Sequence, residues 1–306
     1  MNSTCFPCDT ARLVEQAQML GIDRVGVAEA CEVPDGVTDG YRRWLAEGCN
    51  GSMEYLDRYH DVRRDPRLLL TGARSVISCA IAYYHKSKQP AGIPAIASYA
   101  HGDDYHDVVR QLLEPLAAFI RETWGGETRI CVDTAPIHER YWAVASGVGF
   151  RARSGLVIVP GLGTYCFLAE IITTVEFSPT PPLAPTACDG CGACVASCPG
   201  GAIRSDGTID ARRCLSYLTI EHRGDLPDTL STGDRLYGCD CCQQVCPHNR
   251  VVEPCSHPEF DLRPAYNDLT RENIASLTPE SYAAIFRRSA IKRAKLSGLL
   301  RNLRHL

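Results

Sequence analysis

Hydrophobic and polar residues follow helical and strand periods in turn along the first 180 residues. Between residues 9 and 30, apolar positions first recur every three or four residues, and after Gly21 they run on in the segment RVGVA. This change of period predicts a helix that ends at the glycine and a strand after it. Six further segments continue the pattern as strand, helix, strand, helix and two strands: ARSVISCAIAYY, DDYHDVVRQLLEPLAAFIRETWG, TRICVDT, IHERYWAVASGVG, GLVIVP and TYCFLAEIITT. The pattern predicts an α/β or α+β core that ends near Ser178.

Breaks in this pattern divide the chain into three parts. The proline-rich stretch SPTPPLAPTA, at residues 178–187, is typical of a connector and separates the core from a cysteine-rich segment. A polar loop then leads to a helix near Thr278, where TPES supplies an N-cap, a proline at the first helical position and a glutamate. We therefore expect a first domain over residues 1–180, a second over 181–255, and a loop with a helical tail over 256–306.

The cysteine-rich segment contains two runs with the spacing of iron–sulfur ligands. The first, CDGCGACVASCPGGAI, has the form C-x2-C-x2-C-x3-C-P, which is typical of [4Fe–4S] ferredoxins whose fourth cysteine binds the other cluster. The second, GCDCCQQVCPHN, also ends in Cys-Pro, and one cysteine lies between the two runs. Eight thiolates are the number that two cubane clusters need, so we expect two [4Fe–4S] clusters.

The pseudo-symmetry of such domains assigns the ligands. One cluster is expected on Cys188, Cys191, Cys194 and Cys246, and the other on Cys198, Cys214, Cys239 and Cys242. Cys241 competes with Cys242, and the two-residue gap after Cys239 favours Cys242. A zinc site or a disulfide scaffold is the alternative, but zinc ribbons use two CxxC pairs without the Cys-Pro endings.

The composition is that of an ordinary globular protein, since 45% of the 306 residues are hydrophobic and 22% are charged. Neither GxGxxG nor GxxxxGK[ST] occurs, which argues against NAD and ATP. No secretory signal is seen, and the longest apolar run, from Ser75 to Tyr84, is shorter than the ~20 residues of a membrane span. Oxygen-sensitive clusters and many further cysteines fit a reducing compartment, so we expect a cytoplasmic protein without a membrane partner.

Charge is spread unevenly along the chain. The net charge is −4, yet the last acidic residue is Glu280, and only basic charges follow it. A basic terminus on a mildly acidic protein suggests a polyanionic partner. A solvated helix face is the alternative interpretation.

Asp133 is the candidate for acid–base chemistry outside the clusters. It directly follows the strand RICV, and ligands of open α/β sheets bind beyond the carboxyl ends of strands. A carboxyl in an apolar pocket can have its pKa raised enough to serve as a general acid, whereas the simpler alternative is a helix N-cap. We interpret His106 as a cap or packing residue rather than a metal ligand, and Glu139 with Arg140 as a surface pair. Four arginines around the turn HDVRRDPRLLL suit an anion.

Taken together, the chain resembles the epoxyqueuosine reductases. The resemblance covers most of the chain and is carried, in order, by RRDPRLLLTGARSVI, SYAHGDDYHDVVR, VDTAPIHERYWA, TYCFLAEIIT, CDGCGACVASCPGGAI, RRCLSYLTIEH, GDRLYGCDCCQQVCPHN and SAIKRAKLSGLLRN. That family reduces the epoxide of epoxyqueuosine, at the wobble position of certain tRNAs, to the alkene of queuosine. Many relatives continue into a helical-repeat domain, so we expect a short form that lacks it.

The resemblance implies a fold, cofactors and site residues. It implies an N-terminal cobalamin-binding α/β domain like that of reductive dehalogenases, a ferredoxin-like domain with two [4Fe–4S] clusters, and a short helical tail. Asp133 matches the proton donor. The positions at or near the cobalamin site are Arg63, Ala97, Asp133, Val157, Leu168 and Ser216, the apolar ones acting through backbone contacts or as pocket wall. The basic segment SAIKRAKLSGLLRN matches one that faces tRNA, which gives as tRNA contacts Lys292, Arg293, Lys295 and Arg301.

The implied partners are tRNA and a low-potential electron donor such as flavodoxin or ferredoxin, and we expect a monomer. Two other functions stay open at this point. A dehalogenase-like cobalamin and iron–sulfur reductase acting on a small molecule would not need the basic tail. A pure electron-carrier ferredoxin would leave Asp133 and the first 180 residues unexplained.

Overall fold

The structure is a computed structural model that describes residues 9–183, 188 and 190–306. The helices are α1 (Thr10–Met19), α2 (Asp35–Ala46), α3 (His60–Arg64), α4 (Tyr105–Trp124), α5 (Glu139–Ala145), α6 (Ala193–Ser197), α7 (Leu215–Ile220), α8 (Cys241–Gln244), α9 (Arg271–Ala275), α10 (Pro279–Ile285) and α11 (Lys295–Leu303). The strands are β1 (Arg24–Glu29), β2 (Ser75–Ala82), β3 (Ala95–Ile96), β4 (Thr128–Cys131), β5 (Phe150–Arg151), β6 (Val157–Ile158), β7 (Cys166–Thr173) and β8 (Arg235–Tyr237). Short 3-10 turns join several of them, among them Glu54–Asp57 and Ala290–Ala294.

The central sheet has the strand order β1-β2-β7-β4, and every neighbouring pair in it is antiparallel. The sequence left α/β and α+β open, and the antiparallel pairing makes the core α+β. Helices α1 and α4 cover one face through Leu13, Ala17 and Leu113. Helix α5 covers the other, where Trp142 and Ala143 are buried. Strand β4 lies at the sheet edge, so the chain leaves it directly into the loop that carries Asp133.

Local signals explain where the outer elements begin. Asp9 accepts hydrogen bonds from two backbone N–H groups of α1, and Gly21 turns the chain into β1 with a φ of 80°. Thr278 caps α10 in a capping box with Ser281, as TPES predicted. The predicted start of the tail helix is therefore confirmed.

A second core joins distant parts of the chain. Strand β3 pairs in parallel with β8, and Ile96 packs there with Leu236, Tyr266, Phe286 and Leu299. The tail thus shares its core with residues before α4 and after α7. The proposed boundaries at residues 180 and 255 stay a prediction. No helix within the described ranges is both long and apolar enough to cross a bilayer.

Close backbone contact fixes the loop before α4. A Cβ on Gly102 would overlap the carbonyl oxygen of Glu259 and the backbone of Phe260. The next residue, Asp103, donates its N–H to that same carbonyl at 2.7 Å. Only glycine permits this approach, and the contact sets where Asp104 and α4 begin.

Candidate active site

The first predicted cysteine set lies together around the packed helices α6 and α8. Burial raises the pKa of Cys194, and the negative charges of Cys188 and Cys191 raise it further. Burial likewise raises the pKa of Cys246, and the negative charges of the same two residues raise it further. Cys191 is exposed, so this set reaches the protein surface.

The second set lies deeper. Burial raises the pKa of Cys242 to about 12, and the charges of Cys239, Cys214 and Cys198 add to the increase. Cys241, the competing ligand, is buried at the start of α8. Among the described residues, no three His, Cys, Asp or Glu side chains are gathered tightly enough for a single metal ion. A cubane, by contrast, takes its thiolates at separate iron corners.

Asp133 lies in the loop that follows β4. Its φ is 50°, an unusual conformation for a residue with a side chain, and such conformations concentrate at functional sites. The side chain is 54% exposed, and its Oδ2 lies 3.0 Å from Nε2 of His106. Its backbone N–H donates to Oε1 of Glu139 at 2.6 Å. The carboxyl therefore faces solvent. Hydrogen bonds with His106 and Glu139 hold its side chain and its backbone, respectively, in place.

His106 connects Asp133 to a second carboxylate. Its Nδ1 lies 2.7 Å from Oδ1 of Asp104, which also caps α4. The imidazole stacks on the ring of Tyr105 at 4.1 Å, and Tyr105 in turn stacks on Phe167 at 4.4 Å. Burial lowers the pKa of His106, but hydrogen bonds and charges from Asp104 and Asp133 outweigh it and raise the value to about 9. His106 is thus a cation at neutral pH.

The expectation of a raised pKa at Asp133 is wrong in this structure. Partial desolvation pushes the pKa up, but the hydrogen bond and positive charge of His106, with help from Tyr105 and Arg140, hold it below its usual range. The proton therefore resides on the imidazole of an ion pair. The interpretation of His106 as only a cap or packing residue fails for the same reason, because the partner that gives it a role lies 27 residues away.

Glu139 is not the surface partner of Arg140 that the sequence suggested. It accepts the N–H of Asp133, and burial together with the negative charge of Asp133 raises its pKa to about 8. A neutral carboxyl at pH 7 therefore lies one hydrogen bond from the loop. Sequence reasoning missed it because an acidic residue in the first turn of a helix is common on surfaces.

Behind this loop lies a buried polar patch on the sheet. Glu170 of β7 is fully buried opposite Ser78 of β2 and Cys131 of β4. Within the described chain, neither carboxyl oxygen of Glu170 has a hydrogen-bond partner, and Ser78 Oγ and Trp142 Nε1 also lack one. Burial raises the pKa of Glu170 well above its usual range, with a contribution from Glu139. The patch is uncharged, and it extends the set of acidic groups inward from Asp133.

The positions expected near cobalamin are only partly joined. Val157 and Leu168 share one apolar cluster on the α5 face of the sheet. Ala97 donates its N–H to Tyr237, two residues before Cys239, and Ser216 stands two residues after Cys214. Both therefore lie beside the deeper cysteine set. Arg63, the remaining position of this set, has different surroundings.

Arg63 lies on α3 with its guanidinium 5.9 Å from the ring of Tyr41. Its Nε is buried and has no hydrogen-bond partner among the described residues. The Tyr41 ring also contacts His138, five residues beyond Asp133, at 5.1 Å. Burial and the positive charges of Arg63 and His60 lower the pKa of His138 to about 4. This corner offers an unsatisfied donor and a neutral imidazole.

The basic tail divides into exposed and buried members. Lys292 and Lys295 are exposed, and Arg293 is half exposed. Arg301 is wrong as a tRNA contact, because its residue is only 6% exposed. Its guanidinium donates to the carbonyl oxygens of residues 218, 222 and 224 and to Asn302 Oδ1. Periodicity alone did not separate the inner from the outer face of this short helix.

Two sets of four cysteines and, elsewhere in the fold, a carboxyl–imidazole pair are the groups expected of an iron–sulfur oxidoreductase. A family profile described as epoxyqueuosine reductase QueG, DUF1730, matches residues 63–134, and a 4Fe-4S double cluster binding domain matches residues 187–249. The epoxyqueuosine reductase of Cellulophaga algicola is 37% identical over 264 residues, covering 85% of this chain and 86% of that protein. The chain belongs to the epoxyqueuosine reductase family.

Solved structures agree in fold over nearly the whole chain. An epoxyqueuosine reductase with an epoxyqueuosine-modified tRNA-Tyr stem loop superposes with a TM-score of 0.86 at 30% identity, covering 96% of this chain and 79% of the other. The Bacillus subtilis enzyme, described with its catalytic aspartate loop swung out of the active site, gives 0.87 at 29% identity with the same coverage.

We predict that Arg301→Leu destabilises the protein rather than weakening a surface contact. Three carbonyl oxygens would lose a charged donor inside the fold, which should lower the free energy of unfolding by about 2–4 kcal/mol. Anaerobic urea unfolding followed by circular dichroism measures this. The control Lys292→Leu, at an exposed position of the same segment, should unfold like the wild type. An Arg301→Leu protein of unchanged stability would restore a surface role for this residue.

Proposed function

We propose that this chain reduces epoxyqueuosine in tRNA to queuosine, with electrons passing through two [4Fe–4S] clusters to a cobalamin and protons coming from the Asp133 site. Family membership supports the reaction. The observation that carries the residue assignment is the Asp104–His106–Asp133 chain, with links of 2.7 Å and 3.0 Å, at the exposed end of β4. A low-potential carrier such as flavodoxin or ferredoxin would supply the electrons.

The donor set fits the two clusters. Each group contains four thiols that lie close enough for their charges to shift one another's pKa values. Four thiolates complete one cubane. Backbone N–H groups already point at two of the sulfurs, from Arg153 to Cys188 and from Ala202 to Cys198, each at 3.2 Å. Such donors stabilise thiolate and tune cluster potential. The exposed set, which includes Cys191, would receive electrons first.

The residues present also fit a cobalamin. A corrin is a broad, largely apolar ring with amide arms, so its site needs small or aliphatic walls and spare donors. Ala97, Val157 and Leu168 provide the first. The Nε of Arg63, which has no partner among the residues that the structure describes, provides the second. Ser216 would contact it beside the deeper cysteine set. When bound, cobalamin supplies a low-valent cobalt centre that donates electrons.

The proton balance matches the groups at Asp133. Reducing an epoxide to an alkene consumes two electrons and two protons, and the oxygen leaves as water. The His106–Asp133 pair holds one proton, and Glu139 holds a second beside it at neutral pH. Asp133 is the exposed member, so it would pass the proton to the leaving oxygen while His106 supplies it. The left-handed Asp133 backbone is consistent with a loop that moves, as described for the Bacillus subtilis relative.

The tRNA would approach over the basic tail. Lys292 lies close enough to Asp104 for its charge to lower the pKa of that carboxyl, after the larger effect of the His106 hydrogen bond and against partial burial. Lys292 therefore flanks the acidic site, and the exposed Arg293 and Lys295 follow it closely along the chain. Phosphates bind such charges, and a base in an anticodon loop leaves its stack easily.

We expect Asp133→Asn to abolish conversion of epoxyqueuosine-containing tRNA. The amide cannot release a proton to the leaving oxygen, so turnover should fall at least about 100-fold. The assay is anaerobic turnover with reconstituted clusters, a low-potential reductant, and cobalamin present or omitted, followed by nucleoside mass analysis for loss of one oxygen. Omitting cobalamin should also stop conversion.

The control Asp39→Asn, on the exposed side of α2, should convert like the wild type. Asp133→Asn must keep its cluster absorbance and bind cobalamin for the result to report on proton transfer. Full activity of Asp133→Asn would contradict its role as donor. A wild type that holds both cofactors yet leaves the epoxide intact would contradict the tRNA function and direct the search to small molecules.

The rate should fall as pH rises through about 9. His106 has a folded-state pKa above its usual value, so the proton-holding form exists below that pH and is lost above it. The titratable and charged groups around it are Asp104, Asp133, Lys292 and Glu139. Glu139 loses its own proton near pH 8, so the fall should begin there. Single-turnover rates from pH 6 to 10 with saturating tRNA measure the profile.

In His106→Gln the alkaline limb should move to lower pH, because the remaining carboxyls release their protons earlier. Its maximal rate should also fall, because Asp133 loses its proton supply. A limb that stays in place in His106→Gln would show that another group sets it. Cluster absorbance measured at each pH separates this effect from cluster loss.

Cys242→Ala should remove one cluster, whereas Cys241→Ala should keep both. The two residues are adjacent and both are among the less exposed cysteines, so the pair is a matched test of the ligand assignment. Iron and sulfide per chain should fall from about eight to about four in Cys242→Ala. The reverse result would make Cys241 the ligand.

A further inference from the structure

Within the described ranges, exposed aromatic side chains are confined to one short segment. All 13 tyrosines lie in described ranges, and only Tyr55 and Tyr59 are exposed, by 43% and 65%. Both belong to the turn around Glu54–Asp57. Tyr59 adopts the left-handed conformation with a φ of 60°, which is rare for a bulky residue. Two exposed rings on one short turn form an aromatic patch that a planar ligand could contact.

An arginine is fixed over the first of these rings. The guanidinium carbon of Arg293 lies 5.6 Å from the ring centroid of Tyr55. Two parallel hydrogen bonds, of 2.8 Å and 2.7 Å, join the same guanidinium to the carboxylate of Glu221. Arg223 in turn donates to the carbonyl oxygen of Arg293 at 2.7 Å. The guanidinium plane is thus held in place before any ligand arrives.

This platform lies beside the Asp133 site. Burial raises the pKa of the Tyr55 phenol, and the charges of Glu221 and Asp133 raise it further while Arg293 opposes them. Tyr55 is therefore within electrostatic reach of the Asp133 carboxyl. Lys292, the neighbour of Arg293, is similarly close to Asp104. The ring and guanidinium thus lie near the acid.

We propose that Tyr55, clamped by Arg293, is a stacking platform for a nucleobase that flanks the reacting one in the anticodon loop. This inference rests on the proposed function. When the reacting base leaves its stack, its neighbour loses a stacking partner on that side. An exposed ring replaces that partner, and the guanidinium adds a planar cation for the base or its phosphate. Neither contact depends on base identity, so the platform would favour loop shape over sequence.

The test compares Tyr55→Leu with Tyr55→Phe. Base–aromatic stacking contributes about 1–3 kcal/mol per base, which corresponds to a roughly 5- to 150-fold change in affinity. Tyr55→Leu should raise KM for epoxyqueuosine-tRNA, and the dissociation constant of a fluorescent anticodon stem loop, by a factor in that range. The rate at saturation should change little. Tyr55→Phe keeps the ring and should behave like the wild type.

The role of the guanidinium is tested with Arg293→Lys, which keeps the charge and loses the plane. Arg74→Lys is the matched control, because Arg74 is also a half-exposed arginine paired with a glutamate, at the opposite end of the sheet. Arg293→Lys should weaken stem-loop binding several-fold, and Arg74→Lys should leave it unchanged.

Abasic stem loops identify the stacked base. An abasic site next to the reacting position should weaken binding to the wild type and make no difference to Tyr55→Leu. Unchanged binding in Tyr55→Leu, or an equal abasic penalty in both proteins, would overturn the platform. Binding is measured without turnover, so an inactive wild type would contradict the proposed function and still leave the stacking result readable.

Discussion

A buried hydrogen-bond network around Gln243 holds the cysteine-rich segment against the sheet, and the rest of the site depends on it. Oε1 of Gln243 accepts from Tyr83 and Thr164, both at 3.1 Å, and its amide donates to Asp240 at 3.2 Å. Asn249 bridges the same Thr164 to the backbone of Gln243. These polar groups lie inside the protein, where each lost partner costs about 1–3 kcal/mol. Since α8 carries Gln243 between two cluster cysteines, the network fixes both cysteine sets relative to the core.

A second constraint applies to Asp133 and the acidic groups near it. At neutral pH only one of these carboxyls can ionise without a large cost in free energy. His106 pairs with Asp133 and allows that carboxylate to ionise. In the described part of the chain no cation pairs directly with Glu139 or Glu170. Burial and the negative charge nearby therefore outweigh the more distant positive charges and keep both protonated. The arrangement therefore holds protons beside the site that we propose consumes them. The same physics explains why a simple expectation of a neutral Asp133 fails: the proton moves to the stronger base beside it.

Residue spacing predicted the features that depend on local sequence. Cysteine spacing predicted two sets of four residues, and members of each set lie close together. The segment TPES predicted the start of α10. Both signals act within a few residues. The ion pair of His106 with Asp133 and the buried hydrogen bonds of Arg301 join residues 27 and more than 75 positions apart. No local pattern contains such pairs. The antiparallel strand order escaped prediction for the same reason, because alternation of helices and strands does not fix which edges meet.

The tail has a buried face that supports the fold and an exposed face that we propose contacts tRNA, and this decides how the proposed role can be studied. Its inner face supplies Leu299 to the second core, and Asn302 donates at 2.8 Å to carbonyl oxygens of both α7 and β8. Its outer face presents Lys292 and Arg293 beside the acidic site. Because α7 begins directly after Cys214, removing the tail would loosen the support of the deeper cysteine set. Loss of tRNA binding after truncation would then report on folding as much as on contact. Single exposed residues, changed while the inner face stays intact, separate the two roles.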